Sequence, residues 1–260
     1  MKMKLSEVMT CILCMSVFAG CSIKEDRSVC PCRLVLDFSD VDTLTVRAAD
    51  LMVSSSDGLI FKDSVDFAAV GKEYVADVPH GELMVNVWSG AEGFHDEDEG
   101  IVIPFGYGCP PVFMHSSSVD AVGEICREKV VMHKNHCRLS VEVKGRDDVP
   151  YSLTVRGNVC GYMTDGSPAE GVFSCVAYPD GDGKVTVSLP RQLDNSLLLD
   201  IDDGSGIMKT FALGEYIAAS GYDWTAPDLE DLSIVVDYFA TVLTIHVRWW
   251  DKEYEFDIVL

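Results

Sequence analysis

Beyond residue 30 the chain alternates apolar and polar residues with a period of two. Leu34, Leu36 and Phe38 share one face, with Arg33 and Asp37 on the other. Tyr74, Ala76 and Val78 alternate up to a turn at Pro79-His80-Gly81, and Leu83, Val85 and Val87 follow as an expected hairpin partner. Leu139, Val141 and Val143 alternate with Ser140, Glu142 and Lys144. Val185, Val187 and Leu189 repeat the pattern, as do Leu197, Leu199 and Ile201, which turn through Asp202-Asp203-Gly204-Ser205-Gly206 into Ile207, Lys209 and Phe211. Leu243, Ile245, Val247 and Trp249 are followed by Tyr254, Phe256 and Ile258 opposite Glu253, Glu255 and Asp257. Successive strand side chains point to opposite faces, so this pattern predicts half-buried antiparallel strands. Helical periodicity is confined to a short segment over 214–220, closed by Gly221.

Strands separated by turns at short intervals imply sandwiches or barrels rather than a βαβ fold. Residues 106–123 are rich in Gly, Pro and Ser and poorly periodic, and a fresh strand set begins at Cys137. A boundary near Lys129–Asn135 divides the chain into an N-terminal β-sandwich over 30–132 and a C-terminal one over 133–260. No strict repeat indicates a solenoid.

The first thirty residues read differently. Lys2 and Lys4 precede an apolar stretch, Val8–Phe18, too short to span a bilayer and of the length of a signal peptide core. It ends in Ala19-Gly20-Cys21, small residues before a cysteine, although Phe18 and not Leu stands three places before Cys21. Residues 1–20 are therefore expected to be a lipoprotein signal peptide, Cys21 the lipidated residue and 21–29 a tether. Each buried acyl CH₂ contributes ~0.8 kcal/mol, so several chains would hold the protein firmly. Lys24-Glu25-Asp26 resembles the surface-export signal of Bacteroidota lipoproteins. The expected location is the outer membrane, lipid-anchored and facing outward.

Charge narrows the partners. The 260 residues carry 20 Lys+Arg against 42 Asp+Glu, a formal charge of −22. Phosphate binding is dominated by Lys and Arg, so no nucleic-acid partner is expected. Without the leader seven cysteines besides Cys21 remain, an odd number, and Cys126–Cys137 and Cys160–Cys175 are plausible pairs in an oxidising compartment. Buried free thiols are an equally good reading. Cys30-Pro31-Cys32 lacks the spacing and strand-to-helix setting of a redox motif. His133, His136 and Cys137 lack a second cluster at zinc-like spacing, and Asp180-Gly181-Asp182-Gly183-Lys184 places Lys184 where a calcium loop needs a third ligand. Neither a metal nor a cofactor is expected.

Signatures of catalysis are missing: there is no Gly-x-Ser-x-Gly elbow, phosphate loop or His-Glu-x-x-His. The histidines fall in turns, loops or strands, and no carboxylate pair stands out among so many acids. Tyr222-Asp223-Trp224 and Trp249-Trp250 read as core or interface packing before they read as a sugar platform. The residues favour a binding or structural protein over an enzyme.

The order of several segments is informative. Cys21 and an acidic tether precede Cys30-Pro31-Cys32-Arg33-Leu34-Val35-Leu36-Asp37-Phe38. Tyr74-Val75-Ala76-Asp77-Val78-Pro79-His80-Gly81 and Val87-Trp88-Ser89-Gly90 follow. Then come Thr210-Phe211-Ala212-Leu213-Gly214-Glu215-Tyr216-Ile217, Tyr222-Asp223-Trp224, Ile234-Val235-Val236-Asp237-Tyr238 and a final strand pair. This order resembles the FimB-type anchor subunits of Bacteroidota fimbriae, in the fimbrillin superfamily. The resemblance implies an all-β chain of two tandem transthyretin-like antiparallel β-sandwich domains. It also implies a lipidated subunit that attaches a fimbrium to the outer membrane and limits its assembly, with fimbrillin and accessory fimbrial subunits as partners. Polymerising members are trimmed after an Arg near the N-terminus; Arg47, before Ala48-Ala49-Asp50, is expected to stay uncut and to lie in or beside a strand. The run 249–260 has the alternation of either a donor strand or an internal edge strand. A surface glycan-binding lipoprotein using exposed Trp or Tyr is the rival reading.

Overall fold

The computed structural model describes residues 30–96, 100–144, 151–202, 204, 207–237, 242–249 and 252–259. It is an all-β protein whose strands form two sandwiches in tandem. The first is built from β1 (Cys32–Asp37), β2 (Ala48–Ser55), β3 (Gly58–Asp66), β4 (Glu73–Val78), β5 (Gly81–Ser89), β8 (Phe113–Ala121) and β9 (Ile125–Lys129). One sheet has the order β4-β1-β9. The other runs β8-β5-β2-β3 and is extended beyond β8 by β10 (His133–Lys134). A single helical turn, α1 (Phe67–Val70), bridges β3 and β4, with the Asp66 side chain accepting from the Ala68 N–H.

The second sandwich comprises β11 (His136–Lys144), β12 (Ser152–Tyr162), β13 (Pro168–Ala177), β14 (Lys184–Pro190), β15 (Leu198–Asp202), β16 (Ile207–Phe211) and β17 (Leu232–Asp237). Helix α2 (Leu213–Ala219) buries Leu213, Tyr216 and Ile217. It falls where the helical periodicity places it.

The two sandwiches repeat one topology. In each, the first strand pairs antiparallel with the fourth and parallel with the seventh (β1 with β4 and β9; β11 with β14 and β17). The second strand pairs with the third and fifth, and the fifth with the sixth. The alternation predicts antiparallel neighbours throughout; the first and seventh strands instead run side by side in the same direction. The second sandwich then adds a hairpin beyond its seventh strand, β18 (Val242–Trp249) and β19 (Lys252–Val259).

The hairpin expected at Pro79-His80-Gly81 is corrected, and so is one that the Asp-Gly turn residues of 180–184 suggest. The turn at Pro79-His80-Gly81 connects β4 to β5, but β4 pairs with β1 in one sheet and β5 with β2 and β8 in the other. The segment 180–184 likewise carries the chain from β13 to β14 in the facing sheet. Alternation reports which face of a strand is apolar, not which strand lies beside it. The turn after β15 does close a hairpin, with β16.

Each sandwich has its own core. Leu34, Leu36, Leu51, Val53, Leu83, Val85, Val87 and Cys126 meet in the first. Leu139, Val141, Leu153, Val155, Val187, Leu199, Phe211 and Ile234 meet in the second. The segment between β5 and β8 crosses from one to the other. There β6 (His95–Asp96) and β7 (Gly100–Val102) form a small hairpin, and β7 pairs with the end of β12. Ile101, Ile103, Cys109 and Val112 are buried in the second core, together with Trp88 and Met114 from the outer face of the first sandwich.

Candidate functional site

Cys21, Lys24-Glu25-Asp26 and Trp250 lie outside the described residues. Three features remain on which attachment could depend: the N-terminal strand, the joint between the sandwiches and the terminal hairpin.

The N-terminal strand is held centrally. β1 has a neighbour on each side, six residue pairs with β4 and five with β9. Leu34 and Leu36 are fully buried beneath it. The first sandwich is therefore closed by its own first strand. Arg47 is exposed in the residue before β2, and its carbonyl accepts from the Phe67 N–H at 3.1 Å. That is the place expected for it. Around the start of β1 an open cleft of about 940 Å³ is lined by Arg33, Asp77, His80, Val122, Glu124 and Ile125. Val122 and Ile125 are among the exposed large apolar residues.

The joint turns on Asn135, the residue between β10 and β11. Its N–H donates to the Val112 carbonyl at 2.9 Å, and its Nδ2 donates to the His133 carbonyl at 3.1 Å. Its carbonyl accepts the Tyr162 hydroxyl, and its Oδ1 accepts from Nε and Nη2 of Arg191. Every polar group of this buried residue is thereby satisfied. Arg191 Nη1 donates to the carbonyls of Trp224 and Ala226, and Nη2 also to that of Pro227. The Arg191 N–H donates in turn to the Tyr162 hydroxyl at 2.9 Å. Burial holds the Tyr162 phenol neutral, far above its ordinary titration range.

A second contact locks the same joint. The tip between β12 and β13 lies on the outer face of the first sandwich, where Asn86 Nδ2 donates to the Thr164 carbonyl at 2.6 Å. Ser116 completes this contact by donating to Asn86 Oδ1 at 2.5 Å. This explains why Asn86 and Trp88 are buried on the face that alternation assigns to solvent. Backbone approach here is so close that a Cβ on Gly161 would collide with the Ile101 carbonyl, and one on Gly100 with that of Tyr162. Separating the two sandwiches would strand each of these buried groups.

The terminal hairpin ends the five-stranded sheet β14-β11-β17-β18-β19. β19 pairs with β18 over eight positions and forms the outer edge of that sheet. Of the run 249–260, Lys252–Val259 is thus placed as an edge strand of its own sandwich.

His80 contacts the Ala121 carbonyl at 2.8 Å and His136 that of Val112 at 3.2 Å. His133 lies 3.3 Å from Asp228, and His115 lies 3.2 Å from Glu128. No group of three or more His, Cys, Asp or Glu able to hold a metal occurs among the described residues. Trp224 is buried against Tyr222, ring centroids 4.7 Å apart, as core packing requires. Among the residues whose exposure is described, the strongly exposed aromatics are instead Phe105, Tyr107 and Tyr178, all in loops. Neither suggested disulfide is brought together. Cys126 lies in the first core and Cys137 in the second, while Cys175 pairs with Val155, five residues from Cys160. No helix among the described residues is long and apolar enough to cross a membrane.

No family model and no curated protein matches the sequence. Solved structures do. A candidate polysaccharide-binding protein of Bacteroides thetaiotaomicron superposes with a TM-score of 0.65 at 15% identity, covering 86% of this chain and 98% of that one. The fimbrial anchor protein Mfa2 of Porphyromonas gingivalis gives 0.60 at 12% identity, covering 86% of this chain and 100% of that one. A candidate adhesin of Bacteroides ovatus gives 0.59 at 14%, covering 87% and 95%. Over nearly its whole described length the chain has the fold of Bacteroidota adhesins and fimbrial proteins, the fold that its resemblance to the fimbrillin superfamily implies.

Proposed function

We propose that this protein is a fimbrial accessory subunit, an anchor that is lipidated at Cys21, sits on the outer membrane facing outward and limits the growth of the fimbrium it holds. One observation carries the reading: β1 is the central strand of the sheet β4-β1-β9, and the expected tether directly precedes it in the sequence. A subunit that keeps this strand offers no vacant groove at that end, so a polymer growing by strand addition stops there. Cleavage after Arg47 would separate β1 from the rest of the chain and cut the lipid from the fibre. The partners in this reading are fimbrillin and other accessory subunits. The two units of the anchor divide near residue 132, with the β6–β7 segment crossing back to stiffen them.

The test is the variant Cys21→Ala in cells that make fimbriae. Release of fimbriae into the medium is the expected result. Fimbriae that stay cell-bound and of normal length refute the anchor. Mature surface protein whose N-terminus is Ala48 refutes the retained strand. The glycan-binding alternative draws on exposed Tyr107, Tyr178 and Phe105. Saturable oligosaccharide binding lost in Tyr107→Ala and Tyr178→Ala, with fimbriae unaffected by Cys21→Ala, would replace the first reading by the second.

A further inference from the structure

The cleft at the start of β1 is built from three strand ends. β1 runs between β4 and β9, so Arg33 lies opposite Asp77 on one side and Ile125 on the other. The Arg33 N–H donates to the Glu124 carbonyl at 2.9 Å, which ties β1 to the turn before β9. His80, in the turn between β4 and β5, contacts the Ala121 carbonyl at 2.8 Å and ties that turn to the end of β8. The walls are thus held in place by the sandwich itself, and they enclose about 940 Å³. Pockets of about 300–1,000 Å³ bury most of a drug-sized ligand, so the space admits several residues of an extended peptide. Its lining is mixed. Val122 and Ile125 sit in it together, 70% and 57% exposed. Asp77 faces Arg33 at 3.8 Å on the β4 side, and Glu124 supplies a carboxylate on the β9 side.

The described chain begins on this wall. Cys30 and Pro31 line the cleft, so the residues before them are attached at the cleft itself. Those residues are Ser22-Ile23-Lys24-Glu25-Asp26-Arg27-Ser28-Val29, after Cys21. The end nearest the cleft carries an apolar side chain, Val29, and a cation two places before it, Arg27. A segment joined to its site by so short a link is present at an effective concentration on the order of millimolar, which a separate partner would have to exceed. We propose that the cleft is the docking site of the chain's own segment 22–29, with Val29 against Val122 and Ile125 and the Arg27 guanidinium on the Glu124 carboxylate.

Docking changes what the segment does. Undocked, residues 21–29 reach at most about 30 Å and let the first sandwich turn freely within that radius. Docked, they hold the pole at which β1 begins toward the point of attachment. A pull on the segment then empties the cleft before it reaches β1. The docking is a property of this chain alone; only the orientation it sets relative to a bilayer rests on lipidation at Cys21.

The experiment uses the purified mature chain, residues 21–260 with Cys21→Ser, so that no acyl chain holds the segment. Trypsin cleaves after Lys24 and Arg27, and amide hydrogen exchange reads the same stretch. Both follow the population of the open form. Val122→Asp/Ile125→Asp alters two exposed side chains, so the urea midpoint should stay where it is. Cleavage after Arg27 should still accelerate about tenfold in that variant, as the open form gains population. Arg27→Glu and Glu124→Arg should each speed exchange over 24–29, and the two combined should restore the wild-type rate. Equal cleavage of wild type and the Val122→Asp/Ile125→Asp variant overturns the docking, as does exchange over 24–29 at the rate of an unfolded peptide in wild type. Protection that appears only with phosphatidylethanolamine vesicles or purified fimbrillin overturns it as well, because the cleft then has another occupant. These measurements need neither lipid nor fimbria, so a failure of anchoring, read separately with Cys21→Ala, leaves their outcome unaffected.

Discussion

Tyr162→Phe tests the joint with a minimal change. The aromatic ring is fully buried and Phe fills the same space, so no cavity opens. Only the hydroxyl is lost. It donates to the Asn135 carbonyl and accepts from the Arg191 N–H, so its removal strands two groups at the centre of the network. An unsatisfied buried polar group costs about 1–3 kcal/mol, so the pair should cost about 2–6 kcal/mol. With a urea dependence near 3 kcal/mol per molar for a chain of this size, the midpoint should fall by about 0.7–2 M. Trp88 and Trp224 both lie in the second core, so tryptophan fluorescence reports the transition that should move. A midpoint within about 0.2 M of wild type, beneath the ~0.5 kcal/mol expected of a neutral substitution, would mean that the hydroxyl does not hold the joint.

Three further outcomes follow from the same geometry. Gly161→Ala drives a methyl group into the Ile101 carbonyl and should cost about 1–3 kcal/mol as overpacking; limited proteolysis should then cut within residues 90–112 faster than in wild type. Asp200→Asn should lower the urea midpoint at pH 7 by an amount equivalent to about 1–2 kcal/mol, because the buried carboxylate accepts from Arg156 Nε and Nη2 and from Thr210. Burial raises its pKa, but those bonds outweigh burial and hold it below the usual carboxylate range, so this contribution is present above about pH 4 and is lost as pH falls through the native value. A midpoint difference that persists unchanged to pH 2 would refute that assignment. His115 and His136 should titrate by NMR below about 6.5, chiefly because burial disfavours their charged forms. Their contribution to stability is present above that pH and lost as pH falls through the native values. Ring titration at or above 6.5 in the folded protein would contradict the burial seen here.

The inward faces of most strands are legible in the sequence because each strand has one buried face and a period of two. Leu139, Val141 and Val143 are all buried, as are Val185, Val187 and Leu189. The pattern fails where a strand is covered twice. Asn86 and Trp88 on β5 look solvent-facing until the β12–β13 tip lies over them, and no local signal reports a contact made by a segment nearly eighty residues later. Partner choice is equally hidden. Val78 and Leu83 read as two arms of a hairpin, yet the turn between them crosses from sheet to sheet. The joint was invisible for a similar reason. Asn135 stands in a plain loop, and its partners Tyr162 and Arg191 come from two other strand ends. The parallel pairing of first and seventh strands is hidden as well, because an alternation pattern cannot distinguish it from an antiparallel one.

That parallel pairing also organises the molecule. Because the first and seventh strands of a sandwich run in the same direction, the chain enters at one pole and leaves at the other. A second copy of the topology continues from there, so the two units lie in series along the chain. A series arrangement carries tension only as well as its weakest joint. Here the joint is reinforced by the crossing β6–β7 segment and by Asn135, whose hydrogen-bonding groups are all engaged. The anchor proposed above demands a stiff connection between fixed ends, and buried groups that would all be stranded by separation are the kind of contact that supplies one.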